Sequence, residues 1–254
     1  MTPARPPGRQ KKPFFCKKNS TMQKRPFFLL SILSMIALLL IGRWMDQEIK
    51  DAAVATPPGF KKSIMALEFA QDTAMIYTVF KLPQPDSIRI QKTERLIRSI
   101  RLDYGYILAY ALFMILFALQ CKRMGAARTL LAVSLTLIAA IGDVMENEQL
   151  IKIFHQVAIG GDDFAGIFDR LRFWMALKFF SIGAFFLVLS PFFWRSNVLG
   201  KIVGIAAVIT MICWVLACFY RAEFWADALF SMIFLLFAGA LIFGLTYKIR
   251  PKLN

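Results

Sequence analysis

Residues 129–149 read TLLAVSLTLIAAIGDVMENEQ. The first part, Thr129 to Gly142, is 14 residues of nearly pure hydrocarbon, and as a helix it rises about 21 Å. A hydrocarbon layer of about 30 Å is longer than that. A helix that begins here must therefore continue through Asp143, Glu146 and Asn147 to finish crossing. Spacings of three and four put these three polar side chains on one helical face. Read backwards, the same face carries Ala140, Ala139 and Thr136, small residues that let a neighbouring helix approach. This stretch decides the fold class, because it is apolar enough for lipid and places acids at the far end of the crossing.

Five more segments have the length and hydropathy of spans: Pro26–Gly42, Tyr104–Gln120, Phe173–Phe193, Ile202–Tyr220 and Trp225–Tyr247. With 58% apolar residues and 25 Phe in 254, the chain is far from soluble composition. Strand alternation of barrel type is not seen. The expected fold is all-α: a polytopic membrane bundle of six transmembrane helices, the architecture that satisfies these backbones in lipid. The expected organisation is a basic, disordered tail over 1–25, an uncleaved signal anchor over 26–42, an extracytoplasmic segment over 43–103, and a five-helix membrane bundle over 104–254. Met22 offers a second start, which would leave MQKRPFFLL as the basic flank of the anchor.

The net charge of +15 raises nucleic acid as a partner. No nucleic-acid-binding motif is present, however, and the basic residues flank apolar runs, the pattern of topology signals. The expected partner is the lipid bilayer rather than nucleic acid. Placing Arg5, Arg9, Lys11, Lys12, Lys17, Lys18, Lys24 and Arg25 in the cytoplasm makes every short connection on that side basic. These carry Lys122, Arg123 and Arg128, then Arg195 and Lys201, then Lys248, Arg250 and Lys252. Both termini are then cytoplasmic in an inner (plasma) membrane, and residues 43–103 lie outside.

Within that outer segment, SIMALEFA reads as a short extended piece. Asp72 can cap a helix from Thr73 that Pro83 and Pro85 end. SIRIQKTERLIRSIRLD reads as an amphipathic helix at the outer headgroups, with Ile90, Ile97 and Ile100 as its apolar face, or else as a face that packs on a partner.

A hairpin turning near Met124 sets Asp103 beside Glu146 and Tyr106 beside Asp143. Asp103, Tyr106 and Tyr110 share a face. Lys178, five residues into the fourth span, lies at the depth of Asp143, and pairing offsets the cost of burying either charge. Lys178–Asp143 is the leading expected contact, with Ser181 one turn on. Arg170 and Arg172 are candidates to neutralise Glu146 or Asp103. Asp227 is a further contributor, with Arg221 and Glu223 nearby. The cluster is expected to form an outward-facing, partly wet pocket that binds or passes a small cation, the proton included, or binds a lipid headgroup. Two other readings stand beside it: an accessory subunit whose Lys–Asp pair only clamps helices, and a lipid-modifying enzyme using Asp143 or Glu146 as acid or base.

Cys16, Cys121, Cys213 and Cys218 form no C-x-x-C pair, and no metal or cofactor motif is present, so none is expected. His155 reads as an interfacial loop residue, Gly160–Asp163 as a turn, and Gly200-x-x-x-Gly204 as a weak dimerisation signal pointing to a homo-oligomer or a membrane-protein partner. The Phe-rich fourth span reads as packing or lipid-facing surface.

The order of ALEFAQDTAMIYTVF, RLDYGYILAYALFM, AAIGDVMENEQLI and MALKFF resembles a loose set of small, uncharacterised bacterial inner-membrane proteins. In that set an aspartate opens one span, Asp-x-x-Glu-Asn closes the next, and a lysine follows in the third. The resemblance covers roughly residues 57–185. It marks Asp103, Asp143, Glu146, Asn147 and Lys178, and implies no activity.

Overall fold

The computed structural model describes residues 26–70, 72–164, 166–220 and 223–246, with the side chains of 26–28 and 223 left aside. The basic tail, Cys16, Arg221 and the basic residues after 246 lie outside this set. Among the described residues the chain is helical and without strands. It comprises α1 (Pro26–Asp51), α2 (Ser63–Glu68), α3 (Thr73–Phe80), α4 (Asp86–Arg123), α5 (Thr129–Ile159), α6 (Ile167–Trp194), α7 (Val198–Tyr220) and α8 (Glu223–Thr246). Six of these, all but α2 and α3, are long and apolar enough to cross a membrane. The protein is a multi-pass membrane helix bundle.

Each long helix packs on the next in the series α1, α4, α5, α6, α7, α8, and α8 also touches α1, α4 and α6. Leu29, Leu33, Ile36 and Leu40 on α1, and Ile202, Ile205 and Ile209 on α7, remain exposed. Apolar ridges of this extent, on helices long enough to cross a membrane, are the surface that lipid covers.

The short helices α2 and α3 sit over one end of the bundle, here called the capped end. At about 1.5 Å per residue, α4 (38 residues), α5 (31) and α6 (28) outrun about 30 Å of hydrocarbon. Their surplus turns build the cap. Leu96 and Ile100 of α4, Leu150, Ile153 and Phe154 of α5, and Leu171 of α6 pack with Leu67, Ile76, Val79 and Phe80 in one apolar cluster. A second cluster fills the bundle below. In it Phe113 and Phe117 of α4, Phe186 and Phe193 of α6, and Phe237 and Phe243 of α8 stack on one another. The Phe-rich α6 is thus largely packing surface, with Phe185 and Phe186 fully buried and Phe180 partly exposed.

Several sequence expectations change here. SIMALEFA is not extended: Ser63–Glu68 is helical. A strand there would have no neighbour to pair with, whereas a helix satisfies its own backbone and turns Met65, Ala66 and Leu67 into the cap. The amphipathic stretch before the second span is not a separate helix lying flat. It is the first half of α4, continuous from Asp86 to Arg123. Its buried face is Lys92, Thr93, Leu96, Ser99 and Ile100, and Ile90 is exposed. Tertiary partners explain the change. Arg95 reaches Glu48 and Asp51 (3.3 and 3.6 Å), Arg98 reaches Glu48 (3.4 Å), and the Lys92 ammonium donates to the Phe80 carbonyl at the end of α3 (3.2 Å). The charges read as headgroup contacts are spent on α1 and α3.

Asp72 caps α3 as expected, accepting from the Met75 amide at 2.9 Å. His155 lies on α5, exposed, rather than in a loop. Gly200 and Gly204 do not form an open face for a second copy. A side chain at Gly200 would meet Ser196, Phe193 and Phe243, and one at Gly204 would meet Trp194. The close approach they permit is the turn between α6 and α7 within one chain.

Candidate functional site

A polar layer separates the two apolar clusters. On α4 the cap cluster ends at Ile100 and the lower cluster begins at Ile107. On α5 the lower cluster ends at Ala139 and the cap cluster begins at Leu150. Between them lie Asp103 and Tyr106 on α4, Asp143, Glu146 and Asn147 on α5, and Lys178 and Ser181 on α6. The chain thus interrupts its hydrocarbon at one level on three adjoining helices.

Lys178 is the hub. Its ammonium lies 3.1 Å from Asp143 Oδ1 and 2.9 and 2.8 Å from the two oxygens of Glu146. Exposure is only 6% for Asp143, 1% for Glu146, 2% for Asn147 and 6% for Lys178, so no water shell substitutes for these contacts. The Asn147 amide donates to Asp103 Oδ2 at 2.6 Å, and Tyr104 donates to Glu148 at 3.0 Å. The expected Lys178–Asp143 contact is present. Asp103, however, meets Asn147, one residue beyond the Glu146 neighbour expected, because the hairpin turns at Gly125 rather than before it.

Gly142 sets the spacing of α5 and α6. A Cβ there would lie 3.2 Å from the Lys178 amide nitrogen and 3.3 Å from the Trp174 carbonyl oxygen. Two backbones this close let the short Asp143 side chain reach Lys178 directly. Thr136 and Ala139, marked as the small face, are fully buried below it. The Tyr106 ring rests on Gly42 of α1 and edge-on to Tyr110. The buried Ser181 hydroxyl has no hydrogen-bond partner among the described residues, and the buried Tyr110 hydroxyl lies beside Asp143.

Other expected members are placed elsewhere. Arg172 does not reach Glu146 or Asp103; it faces Asp169 at 3.9 Å, and the Arg170 side chain caps back onto the Gly166 carbonyl. Lys178 already occupies Glu146 from within, and guanidinium groups nearer the end of α6 stay at the rim. Asp227 faces Lys61 of the cap segment at 3.7 Å, not the cluster. The layer is also closed, not an open wet pocket, because α2 lies over it.

That closure brings in a residue the sequence reading missed. Glu68, the last residue of α2, lies within electrostatic range of Lys178, Glu146 and Asp143. Its Oε2 is buried without a hydrogen-bond partner. Burial pushes its carboxyl above the usual carboxylate range, opposed by Lys178 and reinforced by Asp143. The available signal was a single acid inside the otherwise apolar SIMALEFA. Because folded Glu68 holds its proton more tightly than the unfolded chain does, stability falls as pH rises from about 4.3 toward the raised folded value. Glu68→Gln is expected to remove that part of the slope in thermal melts taken across a pH series; an unchanged slope would contradict the placement of Glu68.

Beside Glu68 a half-open cavity of about 310 Å³ lies between α2, α6 and α7, with Arg172, Asp169, Met175 and Cys218 among its walls. No group of three His, Cys, Asp or Glu side chains among the described residues has the arrangement to hold a metal ion. No family model, curated protein or solved structure matches the chain.

Proposed function

We propose that the polar layer is a binding site for a small cation, that the cation is the proton, and that the protein holds and exchanges protons at the level of its cap. The observation that carries the reading is a charge excess. Asp143 and Glu146 contact the ammonium of Lys178, and Glu68 and Asp103 lie within electrostatic range of it. Full ionisation would leave three uncompensated negative charges in a closed, low-dielectric layer, which is far costlier than binding protons there. The donor set favours protons over a metal ion, because the lysine already occupies the space between the two nearest carboxylates.

On this reading the protein sits in a bacterial inner membrane with the capped end outside. Support comes from the basic residues at the opposite end, Lys122, Arg123, Arg128, Arg195 and Lys201. The cluster then faces the side from which protons arrive in a respiring cell.

The test is infrared spectroscopy of the full chain in lipid nanodiscs over a pH series. A protonated-carboxyl C=O band is expected at neutral pH, altered in Asp103→Asn or Glu146→Gln. Its absence at neutral pH from the wild-type protein would overturn the proposal. A second reading, a helix clamp, is favoured by the closed Lys178–Asp143–Glu146 contact. It predicts variants that lose stability and nothing else.

A further inference from the structure

The cavity beside Glu68 has a wall chemistry and a depth that suit one class of molecule. Its one polar group on the α2 side is the half-buried carboxyl of Glu68, whose Oε2 has no hydrogen-bond partner among the described residues. Arg172 and Asp169 at the rim face each other at 3.9 Å and largely cancel, both substantially exposed. The remaining wall is apolar: Met175, Phe173, Ala217 and Cys218. Phe173 in that wall is 59% exposed, and Phe219, Tyr220 and Phe224, at the same capped ends of α7 and α8, are 69–79% exposed. A ring of exposed aromatic side chains at helix ends marks headgroup depth. A lone ionisable carboxyl at the back, an apolar wall and exposed aromatic side chains at the same end of the bundle together match a cation attached to hydrocarbon.

We infer that this cavity binds the ammonium group of an amphiphile, with Glu68 as its counter-ion and the α6–α7 wall against the adjoining carbon chain. The volume of about 310 Å³ equals roughly ten waters at about 30 Å³ each, enough for an ethanolamine phosphate or the head of a long-chain amine. Two sources share this chemistry. An ethanolamine phospholipid would bring its phosphate to Arg172, and a free amphiphilic amine would use Glu68 alone.

The inference builds on the proton-holding reading of the cluster: an ammonium arriving at Glu68 displaces that carboxyl's proton. Lys178, Asp143 and Glu146 face Glu68 from α5 and α6, Lys62 lies on its own segment, and Asp169 and Arg172 lie across the cavity. Binding therefore strengthens as pH rises through the raised range of Glu68. It weakens again only when the amine itself deprotonates, near pH 10 for a simple alkylammonium.

The experiment uses the full chain in phosphatidylcholine nanodiscs, read by tryptophan fluorescence and thermal denaturation. The probes are dodecylamine and, as the uncharged control, dodecanol. Expected is a preference for the amine of about tenfold or more, which is about 1.4 kcal/mol, shrinking at low pH and lost in Glu68→Gln. Cys218→Phe, which fills the cavity from α7, is expected to abolish the preference and serves if the glutamate variant does not fold. In nanodiscs containing phosphatidylethanolamine, prior stabilisation and weaker amine binding, both reversed by Arg172→Ala, identify the lipid as the source. Amine binding unaffected by that lipid identifies a free amine. Equal binding of amine and alcohol, or a preference retained in folded Glu68→Gln or, where that variant does not fold, in Cys218→Phe, overturns the inference. If the preference is absent while the protonated-carboxyl band persists, the cavity's ligand is wrong and the proton-holding layer stands.

Discussion

Lys178→Met is expected to destabilise the protein by about 3–5 kcal/mol, the cost of leaving buried charges without their partner. Its ammonium lies within 3.1 Å of Asp143 and 2.9 Å of Glu146, and neither carboxylate has solvent to fall back on. The effect belongs to the unpaired acids and not to the missing methylenes, since methionine nearly preserves the volume. The triple variant Lys178→Met, Asp143→Asn, Glu146→Gln should therefore recover most of the loss. Asp143→Asn alone should cost less than Lys178→Met, because Glu146 still holds the ammonium. Denaturation of the four proteins in one detergent checks all of this. Lys178→Met no less stable than the triple variant would mean that the contact is not the buried ion pair described.

Gly142→Leu is the second substitution with a large expected effect. The atoms a side chain would meet are the Lys178 nitrogen at 3.2 Å, the Trp174 oxygen at 3.3 Å and the Lys178 Cα at 3.4 Å, all backbone. Backbone cannot rotate away, so α6 must move. Overpacking of this kind costs about 1–3 kcal/mol even for small additions, and a leucine should exceed Gly142→Ala. Gly105→Ala is the comparison. Its nearest neighbour is the tip of Ile41 at 3.4 Å, a flexible group, and a change under about 1 kcal/mol is expected. Since Gly142 adjoins Asp143, the leucine variant should also perturb the protonated-carboxyl band. If Gly142 and Gly105 tolerate side chains equally, the close approach of α5 and α6 is not what holds the charges together.

Much of the site was legible because membranes make polar residues expensive. Asp143, Glu146 and Asn147 stood out against a hydrocarbon run, and matching their depth with Lys178 required only helix rise and the order of the spans. The pairing that followed is the pairing observed. Arg172 and Asp227 were misassigned for a shared reason. Both lie at helix ends, where long side chains have several reachable partners and sequence depth alone does not choose. Asp169 and Lys61 took them.

Glu68 was hidden for the opposite reason. It belongs to no span, and its six-residue helix is defined by what it packs on rather than by periodicity. The continuity of α4 was hidden likewise. A stretch rich in Arg and Lys reads as interfacial until Glu48, Asp51 and the Phe80 carbonyl are seen to meet those cations. Gly142 gave no distinct signal, since a glycine in an apolar helix is common and its partner lies on another helix.

The sequence by itself determined the helical class, the six crossings and the level at which charge enters the bundle. These follow from hydrophobic length and from the cost of polar groups in lipid, both local properties of the chain. Tertiary structure alone decided that the layer is closed, that Lys178 serves two acids, and that Glu68 joins them beside a cavity. Those facts depend on which side chains from distant segments share a space of a few ångströms. No local pattern encodes that, because packing and Coulomb energies are set by distances between helices and not along them.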